Sequence, residues 1–174
     1  MKGKFQLYTG NGKGKTTAAL GLAVRAACSG LKVYFGQFMK GQEYSELSLP
    51  DYFPGLIVME QFGTPRLICK GEKPAEEDIR SAAAGLERIT SAMVSGIYDI
   101  VVADELNVTL YMGLLDEKSV MDFVLNRPDG VELVLTGRYA SENLIEAADL
   151  VTEMREVKHY YETENLLARK GIEF

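Results

Sequence analysis

Tryptophan is absent from this 174-residue chain, histidine occurs once (His159), and cysteine occurs twice (Cys28 and Cys69). Zinc sites built from closely spaced Cys and His pairs are therefore excluded, and so is a disulfide framework. Two isolated thiols suit a reducing cytosol. A Ser-His-Asp or Cys-His arrangement would have to use His159, which no nucleophile motif accompanies. Long apolar runs are missing too. The longest, Ala18 to Val24, is interrupted by Gly21 and stops at Arg25, far short of a membrane span. The opening Met-Lys-Gly-Lys-Phe carries no apolar signal core. These features predict a soluble, cytoplasmic protein with no membrane partner. Positive charge is also scarce: 19 Lys plus Arg stand against 25 Asp plus Glu, for a net charge of −6. Nucleic acid and anionic membrane surfaces reward clustered positive charge, so neither is expected as the main partner.

What is present is an ordinary globular composition, 47% apolar and 25% charged, which excludes disordered, collagen-like and coiled-coil readings. One domain over residues 1–174 is expected, with a single good core. No repeat and no low-complexity segment interrupts it. Short apolar runs instead alternate with helical segments. Strands are predicted at Phe5–Tyr8, Val33–Phe38, Leu56–Gln61, Ile97–Ala103, Val131–Thr136 and Leu150–Met154. Helices are predicted at Lys15–Ser29, closed by Gly30, at Ala75–Ser95, at Asp116–Asn126 with Asp116 as N-cap, and at Ser141–Ala148. Met39 to Gly55 reads as a long loop, and the tail from Arg155 is ambiguous. Alternating strands and helices imply right-handed crossovers, hence an α/β fold with a mostly parallel sheet between helical layers.

Thr9-Gly10-Asn11-Gly12-Lys13-Gly14-Lys15-Thr16-Thr17 lies where the first strand ends and the first helix begins. Glycines there let backbone N–H groups turn inward into a nest, and the helix N-terminus adds partial positive charge. Lys15 would reach the terminal phosphates and the Thr16 hydroxyl would help to hold Mg²⁺. The general pattern G-x-x-x-x-G-K-[ST] is broken only at its first position, which Thr9 occupies, and Lys13 adds a second cation. Ile100-Val101-Val102-Ala103-Asp104-Glu105 is an apolar strand ending in two carboxylates, which beside a phosphate loop points to a metal site. Which of Asp104 and Glu105 binds the metal is open at this level. Leu135-Thr136-Gly137-Arg138 has the same form, with an arginine leaving the sheet edge where ligands bind in open α/β folds. The strand ends at Thr9, Asp104 and Thr136 should converge on one cleft, with His159 beyond it.

Beyond these local readings, the chain resembles the ATP:corrinoid adenosyltransferases from Phe5 to Phe174. The resemblance rests on Tyr8 to Ala19, Gln37-Phe38-Met39-Lys40-Gly41, Asp104-Glu105-Leu106-Asn107, Asn126-Arg127-Pro128 and Leu135-Thr136-Gly137-Arg138. It continues through Ala148 to Arg155, Val157-Lys158-His159 and Lys170-Gly171-Ile172-Glu173-Phe174. It implies a RecA-like P-loop fold, a homodimer, and transfer of the 5′-deoxyadenosyl group of MgATP to the cobalt(I) of a reduced corrinoid, with triphosphate released whole. The nucleotide would lie reversed along the loop relative to other P-loop enzymes, and a reductase would supply cobalt(I), in cobalamin biosynthesis or salvage.

Carried over, Thr9, Gly10, Asn11, Gly12, Lys13, Gly14, Lys15, Thr16 and Thr17 bind the triphosphate. Lys13, Lys15 and Arg138 serve catalysis, and Thr16 with Asp104 or Glu105 attends the metal. The family's tryptophans after the second and third strands are missing, and Gln42–Pro54 and Phe62–Glu77 depart from its pattern. On the corrinoid side, Phe62, Pro65, Leu67 and Ile68 are the apolar groups expected to crowd the lower axial face. The alternatives are a P-loop ATPase in which Glu105 orients water, and a nucleotide-binding module without catalysis.

Overall fold

The computed structural model describes residues 2–66 and 72–174. Among them, β1 (Phe5–Thr9), β2 (Val33–Phe38), β3 (Ile57–Phe62), β4 (Ile100–Asp104), β5 (Glu132–Thr136) and β6 (Leu150–Glu153) form one sheet. Every pairing is parallel, in the order β3-β2-β4-β5-β1-β6. The helices are α1 (Lys15–Cys28), α2 (Leu49–Tyr52), α3 (Glu76–Val94), α4 (Leu106–Tyr111), α5 (Glu117–Leu125), α6 (Glu142–Ala147) and α7 (Tyr160–Glu164). The expected three-layer α/β architecture is present.

Strand side chains alternate between two apolar layers, because successive residues of a strand face opposite sides. Val33, Phe35, Ile57, Ile100, Val102 and Val134 pack under Ala19, Ala23, Ala26 and Ala27 of α1. Alanines recurring at three and four place one small stripe on the sheet, so this helix lies close. On the opposite face, Leu7, Tyr34, Phe38, Val101, Ala103, Leu133 and Leu135 meet Leu86, Ile89 and Met93 of α3 and Phe123 of α5. Burial on both faces explains why β4 reads as an unbroken apolar run.

Three local readings change. β4 starts at Ile100, not Ile97, because Gly96 takes a left-handed turn (φ 71°) and Ile97 is left exposed. Ser95 Oγ accepts from Ile97 N (3.1 Å), and Asp99 Oδ2 accepts from Lys32 N (2.8 Å), which sets where pairing begins. The segment expected as a loop after β2 contains a 3₁₀ turn at Ser45–Ser48 running into α2. The tail contains α7, with His159 as its N-cap. Asp116 caps α5 as anticipated, its carboxylate accepting from Ser119 N at 2.8 Å.

The sheet order fixes the geography of the site. β5 lies between β1 and β4, and the register pairs Tyr8 with Thr136 and Ala103 with Leu135. Thr9, Thr136 and Asp104 therefore end side by side on the C-terminal edge, where open parallel sheets bind ligands.

Candidate functional site: a phosphate loop facing buried carboxylates

The loop from Gly10 to Gly14 folds as its glycines require. Gly10 and Gly14 have φ of 94° and 120°, conformations that L side chains rarely adopt. A Cβ on Gly10 or Gly12 would also strike the Met154–Arg155 backbone. That backbone runs alongside because β6 continues the pairing: Met154 N donates to Thr9 O (2.8 Å), and Gly12 N donates to Met154 O (2.6 Å). Lys15 is buried, and its ammonium donates to Gly10 O and Gly12 O, both at 2.7 Å. Burial pushes its pKa down, helped by Arg138, while Glu105 and Asp104 oppose the shift. Lys13, Gly14, Thr16 and Thr17 line a cleft of about 550 Å³, together with Arg138 and Glu105. Asn11 is exposed, and Thr9 Oγ1 accepts from Ala140 N at 3.4 Å.

The two carboxylates at the end of β4 part company. Asp104 is fully buried. Its Oδ1 accepts from Thr16 Oγ1 (2.9 Å) and Thr136 Oγ1 (2.6 Å), and its Oδ2 from Lys40 Nζ (3.0 Å) and Gln37 Nε2 (3.4 Å). A carboxylate offers about four lone-pair positions, so these donors account for them. Glu105 instead takes a left-handed conformation (φ 61°) that starts α4 and brings it to the cleft wall. Such strain in a non-glycine residue collects at functional sites. Burial raises the Glu105 pKa, Asp104 raises it further, and Lys40, Lys15 and Arg138 pull it down.

This donor set suits magnesium. Thr16 gives its proton to Asp104 and so keeps its lone pairs for a cation, while Glu105 adds a hard oxygen. No group of three or more His, Cys, Asp or Glu able to hold a metal occurs among the described residues.

The cleft also gathers residues that local motifs do not assign. Lys40 follows Met39, itself left-handed (φ 55°), and sits 4.7 Å from the Tyr44 ring centroid and 3.5 Å from Glu46 Oε1. Burial works against its charge, but Asp104, Glu46 and Glu105 together prevail, and its pKa is raised. The chain's end folds back across the loop: Lys13 Nζ donates to Ile172 O and Glu173 Oε1, both at 3.0 Å. Glu173 is held as well by Arg169 and Tyr160, and Ser45 Oγ donates to Phe174 O (3.0 Å). His159 was expected to lie beyond the convergent strand ends, yet it lines this cleft. Its ring accepts from Tyr161 N (3.0 Å), which orients it.

Phe62 is not brought to this cleft. It packs edge-on against Phe38 (ring centroids 5.3 Å apart) and above Gly36 and Gly85, where any Cβ would collide with its ring. It also borders a small hollow with Met39, Thr64 and Leu114. Pro65 lies in the turn that follows. Leu67, Ile68 and Cys69 fall outside the described residues. No helix among the described residues is long and apolar enough to cross a membrane.

Comparison with known proteins gives this site a lineage. An uncharacterized protein of Nostoc sp. is 35% identical over 99% of this chain, which spans only 48% of that protein. The corrinoid adenosyltransferase of Pseudomonas aeruginosa is 34% identical over 99% of this chain and 84% of its own length. That of Escherichia coli K12 is 30% identical over 99% and 86%. The family described as ATP:corrinoid adenosyltransferase BtuR/CobO/CobP matches residues 1–174, the whole length that carries the phosphate loop, the paired carboxylates and the returning tail. By that match and those relatives, the chain belongs to the ATP:corrinoid adenosyltransferase family.

Proposed function

We propose that this chain transfers the 5′-deoxyadenosyl group of MgATP to the cobalt(I) of a reduced corrinoid and releases triphosphate intact. One observation carries the reading. In a member of this family, a lysine-bearing phosphate loop lines one cleft together with Glu105 and Arg138, and the loop's Thr16 hydroxyl is bonded to the buried Asp104 carboxylate behind it. The chain would cradle the triphosphate between Gly10 and Thr17, with Thr9 at its edge. Lys15, released from Gly10 O and Gly12 O, would turn to the phosphates, and Lys13 and Arg138 would add charge from either side. Thr16 and Glu105 would hold Mg²⁺, and Asp104 would orient Thr16. The bound cation would supply charge neutralisation on the phosphates.

Cobalt(I) is itself a strong nucleophile. Its electron pair forms the bond to C5′ as the C5′–O bond breaks, and that bonding pair leaves on the triphosphate. No proton moves, so no general base is required of a chain with one histidine. The protein's work is alignment of three atoms in line and neutralisation of the departing charge. A corrinoid would approach from the side of Phe62 and Pro65, an electron donor such as a reductase would supply cobalt(I), and the working unit would be a homodimer.

A spectrophotometric assay with cob(I)alamin, ATP and Mg²⁺ tests this directly. The expected products are an adenosylated cobalt and triphosphate in equal amounts. Release of ADP and phosphate without a cobalt–carbon bond would overturn it, and loss of that hydrolysis in Glu105→Gln would assign the water to Glu105.

A further inference from the structure

Lys40 belongs to no local motif of the phosphate site, yet it is the cation closest to its acid. It leaves the end of β2, and its ammonium reaches across to Asp104 Oδ2 at 3.0 Å while its side chain is 12% exposed. The same ammonium lies 3.5 Å from Glu46 Oε1 and over the Tyr44 ring. Gln37 Nε2 braces both acids, 3.0 Å from Glu46 Oε1 and 3.4 Å from Asp104 Oδ2. Asp104 is thus held from two sides: hydroxyls fix Oδ1, and Lys40 with Gln37 fixes Oδ2. A buried carboxylate beside a second one cannot keep its charge without a partner cation. Among the described residues, the cation that touches it is Lys40.

We propose that Lys40 is a positioning residue for the metal, acting through Asp104 on the Thr16 hydroxyl and tying the loop of Tyr44 and Glu46 to that hydroxyl's orientation. The proposal rests on the metal role given above to Thr16. With Oδ2 pinned by the ammonium, the carboxylate cannot rotate, Oδ1 stays on Thr16, and the threonine keeps its lone pairs toward the cleft. The loop after β2, which walls the cleft at Tyr44 and Glu46, is fastened to the same ammonium. A nucleotide-side metal site and a cleft wall therefore share one fastening.

The test needs no corrinoid. ATP affinity is measured by calorimetry with Mg²⁺ and with chelator, for the wild type, Lys40→Met, Asp104→Asn and the double variant. The quantity read is the factor by which Mg²⁺ strengthens ATP binding. Lys40→Met and Asp104→Asn should each cut that factor about tenfold, and the double variant should cut it no further than the worse single one, as members of one chain do. Lys40→Arg should keep most of it. If Lys40 touched the nucleotide instead, both affinities would fall together and the factor would be unchanged. That result, or losses that multiply in the double variant, overturns the proposal. Lys40→Met leaves a buried charge alone and can fail to fold. Lys40→Gln, a shorter neutral donor, then stands in for it: a Mg²⁺ factor equal to that of the wild type overturns the proposal, as does a double variant that loses more than Asp104→Asn. A wild type that binds ATP with a normal Mg²⁺ factor but adenosylates no corrinoid would overturn the proposed reaction and leave this inference standing.

Discussion

Asp104 and Glu105 are adjacent in sequence but stand in different environments. Asp104 accepts from two hydroxyls, an amide and an ammonium. Glu105 has no such set of donors among the described residues, and burial, with Asp104 beside it, raises its pKa. A carboxyl that binds its proton more tightly in the folded chain contributes stability below the ordinary Glu value. That contribution is lost as pH climbs through the raised value. Glu105→Gln should therefore raise the melting temperature at pH 7.5 by a few degrees, and by less at pH 4.5. It should also weaken MgATP binding. Calorimetric scans at the two pH values check the first claim, and a lowered melting temperature at pH 7.5 would contradict it. Lys15 carries the companion prediction. Removing one well-placed charge from a leaving group costs about 10²–10³ in kcat, so Lys15→Ala should lose at least that much. Arginine should not restore it, because a broad planar guanidinium does not replace a compact ammonium within the glycine loop. Near-normal turnover of Lys15→Ala would remove the loop from the mechanism.

Elements differ in how plainly their residues announce them. α1 was legible because a glycine loop, an alanine-rich stripe and a closing Gly30 (φ 84°) each obey a local rule. α4 was not, because it springs straight from the end of β4 through a left-handed Glu105 and is too short for a helical period to show. The tail was illegible for a different reason. Residues 169–174 are ordered by Lys13, Tyr160 and Ser45, partners distant in sequence or carried by other elements. No local pattern encodes such contacts. The tail's chemistry can be tested at one residue. Arg169 and Tyr160, aided by Lys13, hold the Glu173 carboxyl well below the ordinary range, so it stays ionised through neutral and mildly acid pH. Its negative charge then competes with phosphate for Lys13. Glu173→Gln is expected to tighten ATP binding about threefold to tenfold at low salt, with the gain shrinking as salt rises. Weaker binding would mean that the tail presents Lys13 to the nucleotide rather than occupying it.

At the scale of the whole molecule, the site exists because β5, late in the chain, inserts between β1 and β4. Thr9, Asp104 and Thr136 could each be named as strand ends from the sequence. Their adjacency could be expected from the fold class, but the hydrogen bond that joins two of them could not. Thr136 Oγ1 donates to Asp104 Oδ1 at 2.6 Å and accepts from Glu105 N at 3.0 Å, so one hydroxyl aligns both carboxylate-bearing residues. Gly137 (φ 130°) follows it, and its carbonyl accepts from Asn107 Nδ2 at 3.0 Å, which ties β5 to the start of α4. Thr136→Val keeps the shape and removes the hydroxyl. A buried N–H and a buried carboxylate oxygen would each lose a partner, at about 1–3 kcal/mol apiece. The melting temperature should fall by about 4 °C or more. The Mg²⁺ enhancement of ATP binding should fall with it, because the carboxylate that holds Thr16 is loosened at its other contact. Thr136→Ser, which restores the hydroxyl with one methyl fewer, should recover the Mg²⁺ enhancement and most of the stability. If valine lowered stability but left the Mg²⁺ enhancement at the wild-type level, Asp104 would be held well enough by Lys40 and Gln37 alone. The central strand's contribution would then be to the fold and not to the site.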